Sequence, residues 1–435
     1  MNNIKKITYL IVIFLSLMSL TSCSSSSSSS NNTATARNFT PPTCSTPAIT
    51  ANPPSGANVM PVTVSNCNNS SVNIPFVSVK ICAPGSTSNC QTLNNILLDT
   101  GSYGLRVYSG MLNSTLLSGL TPVTSGSNTV AECVGFADGT SLWGSVAQAD
   151  VVLGDLSGSE TAANTSIQLI DSQYGNPSVC PGADTDPYVS GFTGILGVGL
   201  FTNDCPSCVS STAPRHYWAC SGSSCALTTL SAANQVTNPV ANLTTDDQGI
   251  SLTFLAVNTS TGSAPVTGYM LLGINSRVTG SGFVSNASTG KTLYSANANG
   301  DFQARYNGIY YASFIDSGSN GLFFPNNSSI AVCGAGTPAD SFLCPSPSTT
   351  ISPTFTGCTS GQLASSCTGN ASTPTFTIYN ANSLASTGNS VFSSIAAPIN
   401  TYFDLGFPFF TGRTVFVGIQ GKTSTGLGTG PYWAF

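Results

Sequence analysis

Short apolar runs, many alternating with Ser, Thr, Asn or Gly, recur along the chain and rarely exceed the length of one strand. Ser145-Val146-Ala147-Gln148-Ala149-Asp150-Val151-Val152-Leu153 and Thr414-Val415-Phe416-Val417-Gly418-Ile419 are typical. Such patterns suit short strands, in which successive side chains point to opposite faces of a sheet. Gly, Asn, Ser and Pro interrupt the runs, which predicts many strands joined by turns. No stretch keeps the apolar spacing of a long amphipathic helix. The pattern therefore predicts an all-β chain. Two segments depart from it. Residues 38–75 carry many Pro and Asn and are expected to wrap the edge of a first lobe. Residues 334–389 are poor in long apolar runs and read as an insertion stapled by cysteines.

Composition sharpens the picture. The 435 residues suffice for two lobes with separate cores. Only 6% are charged while 40% are hydrophobic, a mixture that suits strands and polar turns better than helices. Two of the eleven basic residues, Lys5 and Lys6, lie at the extreme N-terminus, leaving nine against sixteen acids. Without a basic patch, nucleic acid is excluded as a partner.

Lys5 and Lys6 precede an apolar stretch, residues 7–20, that is short for a membrane span and reads as a secretion signal. Leu20-Thr21-Ser22-Cys23 resembles the bacterial lipobox, which implies lipid attachment at Cys23 and sorting, through Ser24, to the outer membrane. A serine run at 24–30 would serve as tether. The expected organisation is a lipoprotein signal at 1–22, a tether at 23–44, an N-terminal lobe at 45–240 and a C-terminal lobe at 241–435.

Fourteen cysteines remain once Cys23 is set aside, an even number suited to an oxidising compartment. Cys82 with Cys90, Cys220 with Cys225, Cys333 with Cys344 and Cys358 with Cys367 are near neighbours and read as loop staples. Cys205-Pro206-Ser207-Cys208 admits a zinc site as a rival, but the single histidine, His216, and secretion favour oxidation. Pairing among Cys205, Cys208, Cys220 and Cys225 stays open. No metal or cofactor is expected.

The most informative chemistry is a repeated phrase. Asp99-Thr100-Gly101-Ser102-Tyr103-Gly104-Leu105 follows Ile96-Leu97-Leu98, and Asp316-Ser317-Gly318-Ser319-Asn320-Gly321-Leu322 follows Phe314-Ile315. A single copy would be an ordinary turn. Two copies with the same apolar lead-in and the same exit read as two halves of one site. Two carboxylates held together cannot both ionise cheaply, so the pair shares a proton. The ionised member can then take a proton from water while the other polarises a carbonyl oxygen. The glycines let the loops approach, and the Thr100 and Ser317 hydroxyls can bond backbone across the pseudo-twofold axis. Ser102 and Ser319 are placed to bond the outer carboxylate oxygens.

These motifs resemble those of the pepsin-like aspartic peptidases. The resemblance extends to Gly191-Phe192-Thr193-Gly194-Ile195-Leu196-Gly197-Val198-Gly199 and to Asp404-Leu405-Gly406-Phe407-Pro408-Phe409-Phe410, which are similar to the sequences bracing each aspartate loop. Gly268-Tyr269-Met270-Leu271-Leu272-Gly273-Ile274 resembles the strand leading into the second lobe. Bacterial relatives of this shape include a family catalogued only as a domain of unknown function, whose members this chain also resembles. The resemblance implies two related β-barrel lobes with an active-site cleft between them, catalytic Asp99 and Asp316, and a monomer that takes extended peptide or protein substrate.

It also implies a flap hairpin over the cleft, at Phe136-Ala137-Asp138-Gly139-Thr140-Ser141-Leu142-Trp143-Gly144. Phe136, Asp138, Gly139, Thr140 and Arg106 would then be the flap and substrate-binding residues. Two departures stand out: the flap tyrosine is Phe136, and its usual tryptophan partner is Arg106. A non-catalytic peptide- or protein-binding lipoprotein on the same fold is the competing function. A purely structural surface protein is a weaker third. His216 reads as a surface or loop residue, and Glu132 with Glu160 gives little support for a glycosidase pair.

Overall fold

The structure, a computed structural model, describes residues 49–66, 71–137, 139–184, 191–326 and 329–435. The leader, Cys23 and the serine tether lie outside the described residues, as does Asp138 of the flap. Among the described residues the longest helix is Ser114–Gly119, begun by Asn113, whose side chain accepts from the Leu116 N–H.

The first lobe is built from β1 (Val59–Ser65), β2 (Ile74–Cys82), β3 (Cys90–Asp99), β4 (Tyr103–Tyr108), β5 (Asn128–Gly135), β6 (Ser141–Val152), β7 (Thr161–Ile170) and β8 (Gly194–Val198). Strands β2, β3, β8, β4, β7 and β6 pair in that order and β6 returns to β2, closing a six-stranded barrel. Val79, Ile81, Ile96, Leu98, Leu105, Val107, Val151 and Ile167 fill it without solvent contact. Each contributes roughly 1.5–3 kcal/mol of burial free energy against the cost of ordering the chain.

Beyond the barrel, β9 (Tyr217–Ser221) extends the flap strand β5, and β10 (Gly249–Thr253) and β11 (Val266–Leu272) follow. In the second lobe, β12 (Ile309–Ile315), β13 (Leu322–Phe324) and β14 (Tyr402–Leu405) belong to a seven-stranded sheet. Strand β15 (Thr414–Gly418) pairs with β10, and β10 with β11. Here the expectation for residues 38–75 is corrected. Val59–Ser65 is no edge wrap: β1 lies between β2 and β11 and bonds both, carrying the sheet from one lobe into the other. Val62 and Val64 are fully buried, and that burial outweighs the proline and asparagine count around them.

One arrangement occurs twice. Strand β8 runs parallel to β3 and antiparallel to β4, filling the gap that the first aspartate loop bridges. Strand β14 does the same between β12 and β13 for the second loop. One glycine within each bracing sequence is dictated by space. A Cβ on Gly197 would sit 2.6 Å from the Tyr103 nitrogen, and one on Gly406 2.1 Å from the Gly321 oxygen. All-β and built as two lobes, the fold is of the class that the sequence led us to expect.

Disulfides join Cys82–Cys90, Cys220–Cys225, Cys333–Cys344 and Cys358–Cys367, the four near-neighbour staples. Cys205 pairs with Cys208, so neither thiolate is left for zinc, and Cys133 on β5 pairs with Cys180.

Candidate active site

Asp99 ends β3 and Asp316 follows β12, so each carboxyl is delivered by a buried strand to the turn after it. Both are almost completely buried. The loops are tied by four reciprocal hydrogen bonds. The Thr100 N–H donates to Ser317 Oγ (3.0 Å), and the Ser317 N–H donates to Thr100 Oγ1 (2.9 Å). Thr100 Oγ1–H donates to the Ile315 carbonyl (2.9 Å), and Ser317 Oγ–H to that of Leu98 (2.7 Å). Each hydroxyl thus both accepts from and donates to the backbone of the opposite loop, which fixes the separation of the two aspartates.

Gly101 and Gly318 make the approach possible. A Cβ on Gly101 would lie 2.5 Å from the carboxyl carbon of Asp316, and one on Gly318 2.9 Å from Asp99 Oδ1. The Gly101 N–H donates to Asp99 Oδ1 (2.7 Å) and the Gly318 N–H to Asp316 Oδ1 (2.8 Å). The Ser102 hydroxyl donates to Asp99 Oδ2, and Ser319 Oγ lies 2.9 Å from Asp316 Oδ2. Burial pushes the Asp316 carboxyl well above the usual range, and the nearby Asp99 and Asp404 carboxyls push it further. A Cβ on Gly318 would also lie 3.1 Å from Asp316 Oδ1, so the two carboxyls converge on one point, the arrangement of a proton-sharing pair.

The flap segment forms a hairpin between β5 and β6. The Phe136 N–H donates to the Thr140 carbonyl (2.9 Å), and Gly139, with φ of +89°, turns the chain back to Phe136 (3.1 Å). Phe136 is buried among Leu97, Tyr108, Phe192 and Ile195. Leu97 precedes Asp99 by two residues, so the flap closes an apolar cluster beside the acidic pair. Thr140 and Gly139 stay more open.

Arg106 is brought elsewhere. Its Nη2 donates to Glu132 Oε1 on the flap strand (2.7 Å) and to Asp204 Oδ2 (2.8 Å), and its Nη1 to the Tyr103 carbonyl (2.7 Å). His216 Nε2 lies 3.0 Å from the same two acidic oxygens, and the Tyr217 hydroxyl donates to Asp204 Oδ1 (2.6 Å). The guanidinium is thus committed to this network rather than to substrate or to the aspartate pair. His216 is a loop residue, as expected, and this network partly buries it. Burial opposes its charge, yet Asp204 and Glu132 raise it to about 9. Burial pushes Glu132 up to about 7 despite Arg106. Burial acts the same way on Asp204, but His216, Glu132 and Arg106 outweigh it and hold that carboxyl below its ordinary range. Glu132, Asp204 and His216 offer ligand atoms within 4.8 Å of one another, the geometry of a metal cluster. Arg106 already occupies the converging oxygens, so a metal ion would have to displace it.

Two contributors escaped sequence reasoning. Asn73, at φ +63°, donates from Nδ2 to the Asn320 carbonyl (2.8 Å) and so fastens the second aspartate loop to the start of β2. Asp404, which the sequence offered only as part of a bracing sequence, lies 2.7 Å from Ser319 Oγ through its Oδ2. An acid where a bracing strand calls for an apolar residue was the available signal.

The model of a family described as "Protein of unknown function (DUF3443)" matches residues 54–435. No curated protein matches the sequence. Among solved structures, the chain is similar to the aspartic proteinase from Irpex lacteus, at 17% identity and a TM-score of 0.45, over 86% of this chain and 96% of that one.

Proposed function

This chain belongs to the DUF3443 family, and we propose that it is an aspartic-type endopeptidase. The observation that carries the reading is the reciprocal hydrogen bonding of Thr100 and Ser317, which holds two buried carboxyls as one proton-sharing pair. Asp316, the member pushed up by burial, donates its proton to the scissile carbonyl oxygen. Asp99 takes a proton from water, whose oxygen adds to the carbonyl carbon to give a gem-diol. Transfer of that proton from Asp99 to the amide nitrogen releases the amine as the C–N bond breaks. The gem-diol collapses to the acid, returning a proton to Asp316, and no covalent enzyme intermediate forms. Thr100, Gly101, Ser102, Ser317, Gly318 and Ser319 hold the pair. Gly139 and Thr140 edge the flap against an extended peptide whose backbone pairs with it, while Phe136 packs beneath them.

The same reading makes the protein a bacterial envelope lipoprotein, attached through Cys23 to the outer membrane and acting as a monomer. The Lys5-Lys6 leader and the Leu20-Thr21-Ser22-Cys23 sequence support that attachment. Cys23→Ala should release the domain from membranes on fractionation, and unchanged retention would remove the anchor from the proposal.

The chemistry is tested by incubating the purified protein with a peptide library across acid and neutral pH. Asp99→Asn and Asp316→Asn should each lower cleavage by about a thousandfold or more while leaving the fold intact. Equal cleavage by all three proteins would trace the activity to a contaminant. Peptide bound but never cut by the wild type would favour the peptide-binding reading, to which a flap lacking its hydroxyl is suited.

A further inference from the structure

Asp404 sits on β14 with no solvent exposure, paired across the sheet with Phe314 on one side and Phe323 on the other. Its Oδ2 lies 2.7 Å from Ser319 Oγ, and that same hydroxyl oxygen lies 2.9 Å from Asp316 Oδ2. Its Oδ1 is buried without a hydrogen-bond partner. None of the ion pairs among the described residues reaches Asp99, Asp316 or Asp404.

A serine hydroxyl carries one hydrogen, and here it stands between two carboxyl oxygens at hydrogen-bond distance. It can donate to only one of them. The other contact needs a hydrogen from a carboxylic acid. If Asp316 supplied it, its proton would face away from Asp99, on the oxygen farthest from the shared site. If Asp404 supplies it, Ser319 donates onward to Asp316 Oδ2, as Ser102 donates to Asp99 Oδ2 in the other lobe. The bare Oδ1 supports the second arrangement. A buried carboxylate oxygen without a donor is far costlier than the carbonyl oxygen of a neutral acid.

We propose that Asp404 is a third carboxyl of this site, a positioning residue that stays protonated at neutral pH and relays a hydrogen bond through Ser319 to the outer oxygen of Asp316. The titratable groups facing it are Asp316 after β12, Asp99 across the lobe boundary and Tyr402 on its own strand; β13 contributes only Phe323. Tyr311, farther along β12, packs on Phe403 instead. Burial pushes Asp404 well above the usual carboxyl range, with Asp99 adding to it against the Ser319 hydrogen bond.

The relay gives the site two protons where a carboxyl pair alone would hold one. While Asp404 is neutral, Ser319 supports the outer oxygen of Asp316. Once Asp404 ionises, Ser319 turns toward the new charge, and that charge makes Asp316 hold its own proton more tightly. The pair thereby keeps its catalytic proton to higher pH than it would beside an apolar residue.

The proton count rests on this geometry, while its kinetic consequence rests on the peptidase reading, and the test separates the two. Protein labelled with carboxyl-13C aspartate is examined by infrared spectroscopy at neutral pH, where protonated and ionised aspartates absorb apart and glutamates carry no label. Asp404→Asn should remove the absorbance of one protonated aspartate. Asp404→Ile, which places there the residue that β8 carries as Ile195, should do the same and serves if the Asn variant folds poorly. The alkaline limb of kcat/KM should move about one pH unit lower in both, with kcat at acid pH retained. Unchanged protonated-aspartate absorbance in the folded variants would overturn the proposal. A wild type that cuts no peptide but loses the absorbance on substitution would keep it and discard the peptidase reading.

Discussion

The two aspartate loops share a backbone and differ in where a charge is stored beside them. Seven residues after Asp99 stands Arg106; seven after Asp316 stands Phe323. Arg106 pairs across the sheet with Ile195, and Phe323 pairs with Asp404. Each lobe thus sets one charged and one apolar residue at the same cross-strand position, with the order exchanged. In the first lobe the charge is a cation neutralised by Glu132 and Asp204, so the network can remain ionised under the flap. In the second it is an acid that none of the ion pairs among the described residues reaches, which suits burial in the neutral form. The comparison teaches that a pseudo-symmetric backbone does not make its two carboxyls equivalent. The polar groups packed behind each loop favour the proton on the Asp316 side.

The largest test of this contrast is Arg106→Met. It leaves Glu132 and Asp204 buried without their guanidinium and should cost about 3–5 kcal/mol in denaturant unfolding. Phe323→Leu, its counterpart, should cost about 1.5 kcal/mol or less. Equal losses would mean that the exchanged polarity has no energetic meaning.

A second pair of variants probes how the loops approach. Gly101→Ala drives a methyl into the Asp316 carboxyl and should destabilise by about 2–3 kcal/mol, with activity lost alongside. Gly318→Ala meets Asp99 at the longer distance and should cost nearer 1 kcal/mol. The reverse order would place the tighter approach on the other loop.

The pH dependence of stability sharpens the first-lobe side. His216 at about 9 and Glu132 at about 7 both titrate above their ordinary values, as does Glu160 at about 8, raised by burial and Asp246. For such groups the stabilisation is complete below the unfolded pKa and disappears as pH rises through the folded one. Thermal stability should therefore fall from about pH 4.5, where the two glutamates begin to ionise in the unfolded chain, to about pH 9, with about 2 kcal/mol for the His216 part above about pH 6.5. The depressed Asp204 acts oppositely, its contribution being lost only as pH falls through the carboxylate range. His216→Gln should flatten the alkaline slope in calorimetry; an unaltered slope would remove His216 from the network's energetics.

Ser317→Thr, which gives the second loop the residue of the first, is the smallest change. It adds a methyl but keeps the hydroxyl that accepts from Thr100 and donates to Leu98. Stability should move by about 0.5 kcal/mol or less and cleavage by less than about threefold.

The sequence alone determined what depends on short-range chemistry. Alternating apolar runs and frequent turn formers specified strands, because burial of one face of a sheet needs only that period. The doubled Asp-(Thr/Ser)-Gly-Ser phrase located the carboxyl pair, because an acid at a strand end followed by glycine is a local requirement of the loop. Four of the disulfides were legible because their cysteines stand close in the chain. Other features depended on which distant strands came to lie side by side, which no local pattern encodes. Residues 59–65 became an inner strand through pairing with 266–272. His216 entered an ion network because β9 joined the flap strand, bringing it to acids 84 and 12 residues away. Asp404 met Ser319 across 85 residues. For His216 and Asp404 the protonation state follows from burial and neighbouring charge, and only the tertiary structure supplies both.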